Sequence, residues 1–532
     1  MTRQAPVLET CASRFDVDLL VVGGGINGAG IARDAAGRGL SVALVEKEDL
    51  ASHTSSASTK LIHGGLRYLE YGEFRLVREA LIERERLWSM APHIIRPLRF
   101  VLPQTSSPRS TWIVRAGLFL YDHLGGREKL PATETIALDQ DRRGRGLKAA
   151  RGKAFVYSDC WVEDSRLVIL NARDAADRGA HVMTRTQLVE ARRKDGGWLA
   201  TIEEGSGGRM LTARVIVNAA GPWVTEVIGR VSSARSGRDT RLVKGSHIVV
   251  PRLYDGDHAF MLQNPDKRIV FAIPYEGRFT LVGTTDEAWH GAPGRAEIGQ
   301  GEIDYLLDTI ARYFEKPVGQ SDIFWTYSGV RPLYDDKAAN ASAVTRDYVL
   351  DLDTGSEDAD GCAPLLSVFG GKITTYRKLA EHAMNELRRF LPQAGRAWTA
   401  GMTLPGGDIP DSDLDRYCAV LAESYPDLPF PLLWRLVRAY GTRIATLLGK
   451  ARTLNDLGQN FGAGLYAREI DYLVANEWAI SAEDVLFRRS KLGLNVPPGA
   501  VQEIAIYLSN ASTSQSIASS GATGAMQSTS AD

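Results

Sequence analysis

Three glycines, Gly23, Gly25 and Gly28, stand in G-x-G-x-x-G order directly after a short apolar run, Leu19 to Val22. That spacing can hold a pyrophosphate. The first glycine lets a strand turn sharply, the second lets backbone N–H groups approach the phosphates, and the third lets the next helix pack on the strand. The helix, expected from Asn27 to Arg38, aims its unsatisfied N–H groups and positive end at the same anion. A second apolar run, Ser41 to Val45, ends at Glu46, whose carboxylate can accept from ribose hydroxyls and would repel a 2′-phosphate. FAD and NAD use the same grip. Next comes a small, hydroxylated run, Ser52 to Thr59, which holds Ser55 and Ser56 and leads into Lys60, His63, Gly64, Gly65 and Arg67. Low bulk, permissive glycines and clustered cationic or titratable groups fit a flat ligand edge better than a solvated loop. Far along the chain, LLSVFGGKITTYRKL repeats the strand–glycine–helix arrangement, with Gly370, Gly371, Lys372 and Thr374 at a second helix mouth.

These groups need a parallel sheet beneath them. Leu19 to Val22 has the length and β-branched content of a buried parallel strand. Asp164 to Arg178 reads as a helix and His181 to Thr184 as a strand. RVIVNAAGPW, Arg214 to Trp223, is a strand running into small residues, which brings Gly221 and Trp223 to the carboxyl edge of a doubly wound sheet, where ligands bind. The nucleotide-binding pieces are scattered, so the intervening segments must build a second layer. That layer reads as antiparallel: Gly245 to Pro251, Ile269 to Pro274, Phe279 to Thr285 and Ile323 to Gly329 are short runs separated by turn residues, with KGSHIVVP, VGTTDE and TYSGVRPL as polar landmarks. On the helix expected from Phe74 to Trp88, Phe74, Val77, Leu81 and Leu87 share one side, the expected core face. From Pro405 to Asn510 the chain reads as several helices, one starting at Ser481 with Asp484 as capping partner.

At 532 residues the chain should divide into two to four domains. A hydrophobic content of 44% with 24% charged residues is that of a soluble globular protein. The net charge of −1 gives no overall field toward nucleic acid, and no nucleic-acid partner is expected. Cys11, Cys160, Cys362 and Cys418 form no C-x-x-C pair, zinc spacing or disulfide framework. A reducing compartment and no metal site are therefore expected. The first fifteen residues lack a signal-peptide core and no run of eighteen apolar residues occurs, so a cytoplasmic protein without a spanning helix is expected. From Ser512 onward Ser, Ala, Thr and Gly dominate, and the tail is expected to be disordered.

One stretch stands apart in composition. Between Pro92 and Pro131, Arg96, Arg99, Arg109, Arg115, Arg127 and Lys129 face only Asp122 and Glu128, with Trp112, Ile113, Val114, Leu118, Phe119, Leu120 and Tyr121 among them. Cations interleaved with aromatic and aliphatic groups suit an interfacial membrane contact. The same pattern also describes a domain cap with solvated arginines.

With these landmarks in view, the chain resembles the FAD-dependent, respiratory glycerol-3-phosphate dehydrogenases that pass electrons to quinone. GGGINGAG, TSSASTKLIHGGLRYLE, SDCWVEDSRLV, NAAGPWV, KGSHIVVP, VGTTD, WTYSGVRPL and VFGGKITTYRKLAEHA carry the resemblance, in family order, from about residue 18 to 510. It implies an α/β protein with three parts. A discontinuous FAD-binding doubly wound domain of the glycine-oxidase and amino-acid-oxidase type would comprise residues 14–90, 151–235 and 340–395. An antiparallel substrate domain would take 91–150 and 236–339, and a C-terminal helical domain 396–510.

The reaction implied is oxidation of sn-glycerol 3-phosphate to dihydroxyacetone phosphate. Such a site must grip a phosphate dianion and take a hydroxyl proton. Arg331 in SGVRPL and Arg67 in HGGLRYL are the expected phosphate ligands, because the guanidinium fork meets two oxygens and keeps its charge. Tyr68 lies beside them, and Lys372 could serve phosphate or flavin. His247 in KGSH is the expected base and His63 its rival. The resemblance also implies a quinone acceptor, peripheral membrane contact and a homodimer. An amino-acid or sarcosine oxidase shares the fold but would want one carboxylate-binding Arg and no long helical appendage. A flavin-containing binding protein without turnover is the remaining alternative.

Overall fold

Strand Val17–Val22 is buried almost throughout and sits at the centre of a parallel array, pairing with Val42–Glu46 on one side and Gly207–Asn218 on the other. The computed structural model describes residues 15–511 apart from 106–108, 232–233, 235–237, 239, 295, 335–346 and 356–362. The first sheet runs, edge to edge, Val349–Asp353, Leu365–Phe369, Gly207–Asn218, Val17–Val22, Val42–Glu46, His181–Thr184. All these neighbours are parallel except the antiparallel edge Val349–Asp353. Thr186–Lys194 and Gly197–Glu204 add an antiparallel flap on the N-terminal half of Gly207–Asn218. Helix α1 (Ile26–Gly37) packs between the helices Asp164–Asp177 and Tyr376–Glu386, and their alanine- and leucine-rich faces close the core over the sheet.

The second sheet is almost wholly antiparallel; among the described residues its one parallel pair joins Ile95–Pro103 to Ala259–Gln263. Its central strands are Thr240–Pro251, Phe279–Gly283 and Ile269–Tyr275, with Trp325–Tyr334 along the other side of Thr240–Pro251. The four antiparallel runs read from the sequence are all here, with ends that differ by up to five residues: Thr240–Pro251 and Ile269–Tyr275 are longer than expected, Phe279–Gly283 is shorter, and Trp325–Tyr334 starts later and runs further. Strand Lys153–Val162, expected in the nucleotide-binding part from a boundary at 151, pairs instead with Ile95–Pro103 in this second sheet. Its nine consecutive buried residues, Ala154 to Val162, fit a central strand of either sheet, so composition could not place it.

Helix α2 (Phe74–Met90) buries Leu76, Val77, Ala80, Leu81 and Leu87, but Phe74 is 47% exposed. It lies in the first turn, beyond the sheet that receives the rest of the face. Helix α3 (Thr111–Leu124) follows, burying Val114, Leu118 and Tyr121. The C-terminal helices Leu414–Ser424, Phe430–Tyr440 and Ala467–Glu477 close around their own apolar cluster. Ser481 and Asp484 cap each other reciprocally, as expected from their spacing. This unit is tied to the first sheet by Asp49, which accepts from both Arg488 and Arg489, and by Arg166 with Glu477. Ser512 onward, Cys11, Cys362 and most of the polar loop before Leu365 lie outside the described residues. Cys160 and Cys418 are free and buried. Among the described residues no helix is long and apolar enough to cross a membrane, and no cluster of His, Cys, Asp or Glu could hold a metal ion.

Candidate active site

The three glycines do separate jobs. Gly23 has φ +111° and a Cβ there would meet the Ala219 carbonyl oxygen at 2.6 Å, so the strand can turn beside its neighbour only without a side chain. At Gly28 a Cβ would fall 1.9 Å from the Gly23 oxygen, which is the helix-on-strand contact. Gly25 is different: a Cβ would meet only Ser55 Oγ, at 3.1 Å, and the residue otherwise faces a cavity. That cavity holds about 990 Å³ open to solvent. Gly23, Gly25, Asn27, Glu46, Ser55, Gly221, Trp223, Gly370 and Gly371 all line it, so the sequence-predicted cradle is assembled from four segments of chain.

Glu46 accepts from Gly24 N–H at 2.6 Å and from Glu48 N–H at 2.9 Å, and burial raises its pKa against these two bonds. Each carboxylate oxygen keeps a lone pair for a ribose hydroxyl. Asn27 donates to the Gly370 carbonyl at 3.2 Å, pinning the second glycine turn to the mouth of α1, and its buried Oδ1 has no partner. Ser55 Oγ accepts from Ile26 N–H at 3.0 Å at the same mouth. An open glycine, a partnerless acceptor, helix N–H groups and a terminal carboxylate along one elongated cavity fit the pyrophosphate and ribose of FAD.

Lys60 and Ser56, expected as cofactor contacts, make other contacts in this structure. Lys60 is fully buried, with Nζ 2.8 Å from both Asp164 oxygens and 3.1 Å from the Ser56 carbonyl. Its charge is neutralised and its donors point into protein, so it braces the hydroxylated loop instead of meeting a ligand. Ser56 lines a neighbouring cleft with Trp325, Phe487 and Lys491, not the dinucleotide cavity, and its hydroxyl donates to His53 O at 3.1 Å.

The substrate-side candidates gather on one face of the second sheet. Tyr327, His247, Gly283 and Phe271 form a single rung across four strands, so their side chains project together. Tyr327 stacks on His247 at 4.7 Å, and a Cβ at Gly283 would strike the His247 ring at 2.2 Å. The glycine is what makes room for the imidazole. Further along the same face Arg331 leans back over Gly245, where a Cβ would meet Nη2 at 2.0 Å. His63 arrives from the loop, its ring edge-on to Phe271 at 6.4 Å and its N–H donating to Thr374 Oγ1 at 3.3 Å. Beside it Lys372 Nζ lies 3.8 Å above the Tyr68 ring, a cation–π contact. Arg67 donates to Tyr71 OH at 3.2 Å, while its buried Nε has no hydrogen-bond partner.

The two candidate histidines differ in their surroundings. His247 is buried, Nε2 meets Thr59 Oγ1 at 3.0 Å, and Nδ1 is sealed from solvent without a partner. Burial, then the positive charges of Lys60 and Arg331, hold its pKa well below the usual imidazole range. It is a neutral ring beneath the site. His63, half-buried on the loop, is the more accessible of the pair. Asp286, Thr284, Phe271, Tyr327 and Thr59 complete the site and were not picked out individually from the sequence. The landmarks VGTTDE and TYSGVRPL contained three of them, Thr284, Asp286 and Tyr327, but only strand register says that they meet.

A parallel sheet with its dinucleotide cradle, joined to an antiparallel sheet bearing cationic and imidazole groups, defines a flavoprotein oxidoreductase. Residues 18–377 match the family described as FAD dependent oxidoreductase, and residues 397–507 match the C-terminal domain of alpha-glycerophosphate oxidase. The chain belongs to the FAD-dependent glycerol-3-phosphate dehydrogenase family. It is 53% identical to a D-erythritol 1-phosphate dehydrogenase of Brucella abortus over 91% of this chain and 94% of that one. A glycerol-3-phosphate dehydrogenase of Pseudomonas aeruginosa is 52% identical, over 95% and 96%. Among solved structures, the glycerol-3-phosphate dehydrogenase from Bacillus halodurans complexed with FAD superposes with a TM-score of 0.71 at 26% identity, covering 90% of this chain and 87% of that one. Glycine oxidase from Geobacillus kaustophilus shares the fold at a TM-score of 0.50 and 20% identity, over 73% and 98%. The glycine-oxidase architecture expected from the sequence is therefore the one observed.

Proposed function

We propose that this enzyme oxidises the secondary alcohol of sn-glycerol 3-phosphate to dihydroxyacetone phosphate and delivers the electrons to a quinone. One observation carries the reading: Arg331 and the His247 rung share a sheet face, and the rung between them, Gly245 with Gly329, has no side chain of its own, which lets the Arg331 guanidinium lean over Gly245 toward His247. The guanidinium lies over Gly245, and from Gly245 to His247, two residues along the strand, is about 7 Å, a span comparable with a short phosphorylated polyol. Arg331 and Arg67 hold the phosphate, with Lys372 adding charge. His63 takes the hydroxyl proton on an imidazole nitrogen, and the neutral His247–Tyr327 stack forms a dry floor that strengthens each of these interactions. When bound, FAD supplies the acceptor for the carbinol hydrogen and its electron pair.

A second substrate is favoured by a specific observation. The Brucella abortus relative, named for D-erythritol 1-phosphate, is as similar to this chain as those named for glycerol 3-phosphate. The deciding experiment mixes purified, FAD-loaded protein anaerobically with glycerol 3-phosphate, D-erythritol 1-phosphate, glycerol and sarcosine, and follows flavin bleaching. Bleaching by phosphorylated polyols alone is expected, and their kcat/KM ratio ranks the two substrates. Bleaching by sarcosine, or by none of the four, overturns the reading.

The enzyme reaches its quinone as a peripheral, cytoplasmic-face protein through α3. Trp112, Ile113 and Phe119 on this helix are 81%, 65% and 62% exposed, with Arg115 beside them. This replaces the broader surface read from the sequence, because most of its arginines are engaged elsewhere. Arg99 donates to Ser158, Glu134 and the Pro131 and Ala132 carbonyls, Arg96 packs over Trp161, and Arg109 pairs with Glu70. A homodimer accompanies this reading and is checked by sedimentation velocity.

A further inference from the structure

Helix α3 does more than present an apolar stripe. Its buried face, through Tyr121, and Arg109 just ahead of it each reach the loop that carries the candidate site. Tyr121 OH accepts from Gly64 N–H at 2.7 Å and donates to Asp159, whose oxygens lie 2.7 and 2.9 Å away. Arg84 of α2 holds Asp159 from the far side at 2.8 Å, and all three side chains are buried. Gly64 must be glycine for this contact, since a Cβ would meet Leu81 at 2.6 Å and Tyr121 at 2.8 Å. At the other end Arg109, just before α3, grips Glu70 with both Nε and Nη2 and also donates to Gln263 at 2.8 Å. Arg67 and Tyr68 lie between Gly64 and Glu70, in the 3-10 segment Leu66–Tyr71 that also carries Glu70, and His63 immediately precedes Gly64.

We infer that Tyr121 and Arg109 are positioning residues: α3 braces residues 63–71 at both ends, so the exposed face of α3 and the substrate site are energetically coupled. The inference rests on the reading that residues 63–71 bear substrate. Its physical basis is the cost of alternatives. Gly64 N–H sits in a buried environment where an unmet donor is unfavourable, so it follows the Tyr121 hydroxyl wherever α3 carries it. The Tyr121 hydroxyl is locked in turn by a buried carboxylate and its arginine. A displacement of α3 therefore moves His63 and Arg67, where a misplacement of about 1 Å can cost a hundredfold in rate. Linkage makes the coupling reciprocal, so substrate must stiffen α3 to the extent that α3 orders the site.

The test uses holoenzyme with Tyr121→Phe, which keeps the ring and removes only the hydroxyl, and Glu70→Gln, which weakens the outer brace. Anaerobic flavin reduction by glycerol 3-phosphate is expected to slow at least tenfold in Tyr121→Phe and several-fold in Glu70→Gln, with FAD content retained and KM changed less than kcat. Hydrogen exchange of residues 111–124 is expected to slow when wild type binds substrate, and to lose that response in Tyr121→Phe. If Tyr121→Phe loses FAD or aggregates, Glu70→Gln carries the same comparison. Unchanged reduction rates, or exchange in α3 indifferent to substrate in wild type, overturn the inference. Failure of wild type to bleach at all would instead strike the proposed function.

Discussion

Arg331 Nη1 donates to Asp286 at 2.6 Å while Nη2 reaches Thr284 Oγ1 at 3.2 Å and the Thr285 carbonyl at 3.1 Å. The guanidinium is oriented before any substrate arrives, and its carboxylate partner offsets the cost of keeping it half-buried. Substituting Arg331 by Ala should cost a phosphorylated substrate about 2–5 kcal/mol, or on the order of thirty- to several-thousand-fold in kcat/KM. Arg331→Lys should fall between, because it keeps charge and loses the fork. A purely structural pair with Asp286 would instead lower melting temperature and FAD content together, and would damage glycerol and glycerol 3-phosphate equally.

Gly25 and Gly28 separate folding from cofactor binding. A side chain at Gly25 has only Ser55 Oγ to displace, so Gly25→Val should fold and be colourless, its methyls occupying the phosphate approach. Gly28→Val drives atoms into the Gly23 carbonyl and should not give soluble protein. Absorbance near the flavin bands alongside far-UV circular dichroism distinguishes them. A yellow Gly25→Val protein would mean that the pyrophosphate lies elsewhere.

Lys60 should behave as structure, not as a ligand. Removing one partner from a buried ion pair typically costs about 3–5 kcal/mol, and Lys60→Met would leave Asp164 without its closest cation, with Lys491 Nζ 4.0 Å away and Ser58 Oγ and Ser165 N–H donating at 2.7 and 2.9 Å. Urea unfolding should show that loss, while FAD affinity measured well below the transition stays within a few-fold of wild type. A large drop in FAD affinity with stability intact would restore Lys60 to the cofactor site.

Acid should destabilise the protein partly through His93. It is wholly buried with no hydrogen-bond partner on either nitrogen, and burial, aided by Arg166, pushes its pKa down to about 3. In the unfolded chain it titrates near 6.5. Below that pH the unfolded state binds a proton that the folded state refuses, so stability is full above about 6.5 and falls as pH drops toward 3. At pH 5.5 the loss from this one group is about 1.4 kcal/mol. Comparing urea midpoints at pH 7.5 and 5.5, His93→Gln should be less pH-sensitive than wild type by that amount. Identical pH dependence in the two proteins would remove His93 from the account.

The α3 face makes a separable claim about location. Trp112→Ser with Phe119→Ser removes two of its most exposed rings without touching Val114, Leu118 or Tyr121 beneath. Sedimentation with anionic vesicles should drop at least tenfold, since burying such side chains is worth roughly 1.5–3 kcal/mol each, and flavin reduction should persist. Undiminished binding would assign the membrane contact to another surface.

What the chain declares by itself is whatever one continuous segment can build. Gly23, Gly25, Gly28 and Glu46 belong to a single strand–helix–strand unit of about thirty residues, so their spacing alone fixes their places. Ser481 with Asp484 and the alternation of the second sheet's strands are local for the same reason. The Lys60–Asp164 pair joins residues 104 apart, and no local pattern distinguishes a lysine that meets a ligand from one that meets a distant aspartate. Likewise the rung Tyr327–His247–Gly283–Phe271 exists only once four strands adopt their register, and a slip of one residue would turn every one of these side chains to the other face. Tyr121 looked like one more aromatic in a basic, apolar segment. Packing made it the acceptor for Gly64 N–H, because folding, not sequence proximity, decides which buried donor finds which acceptor.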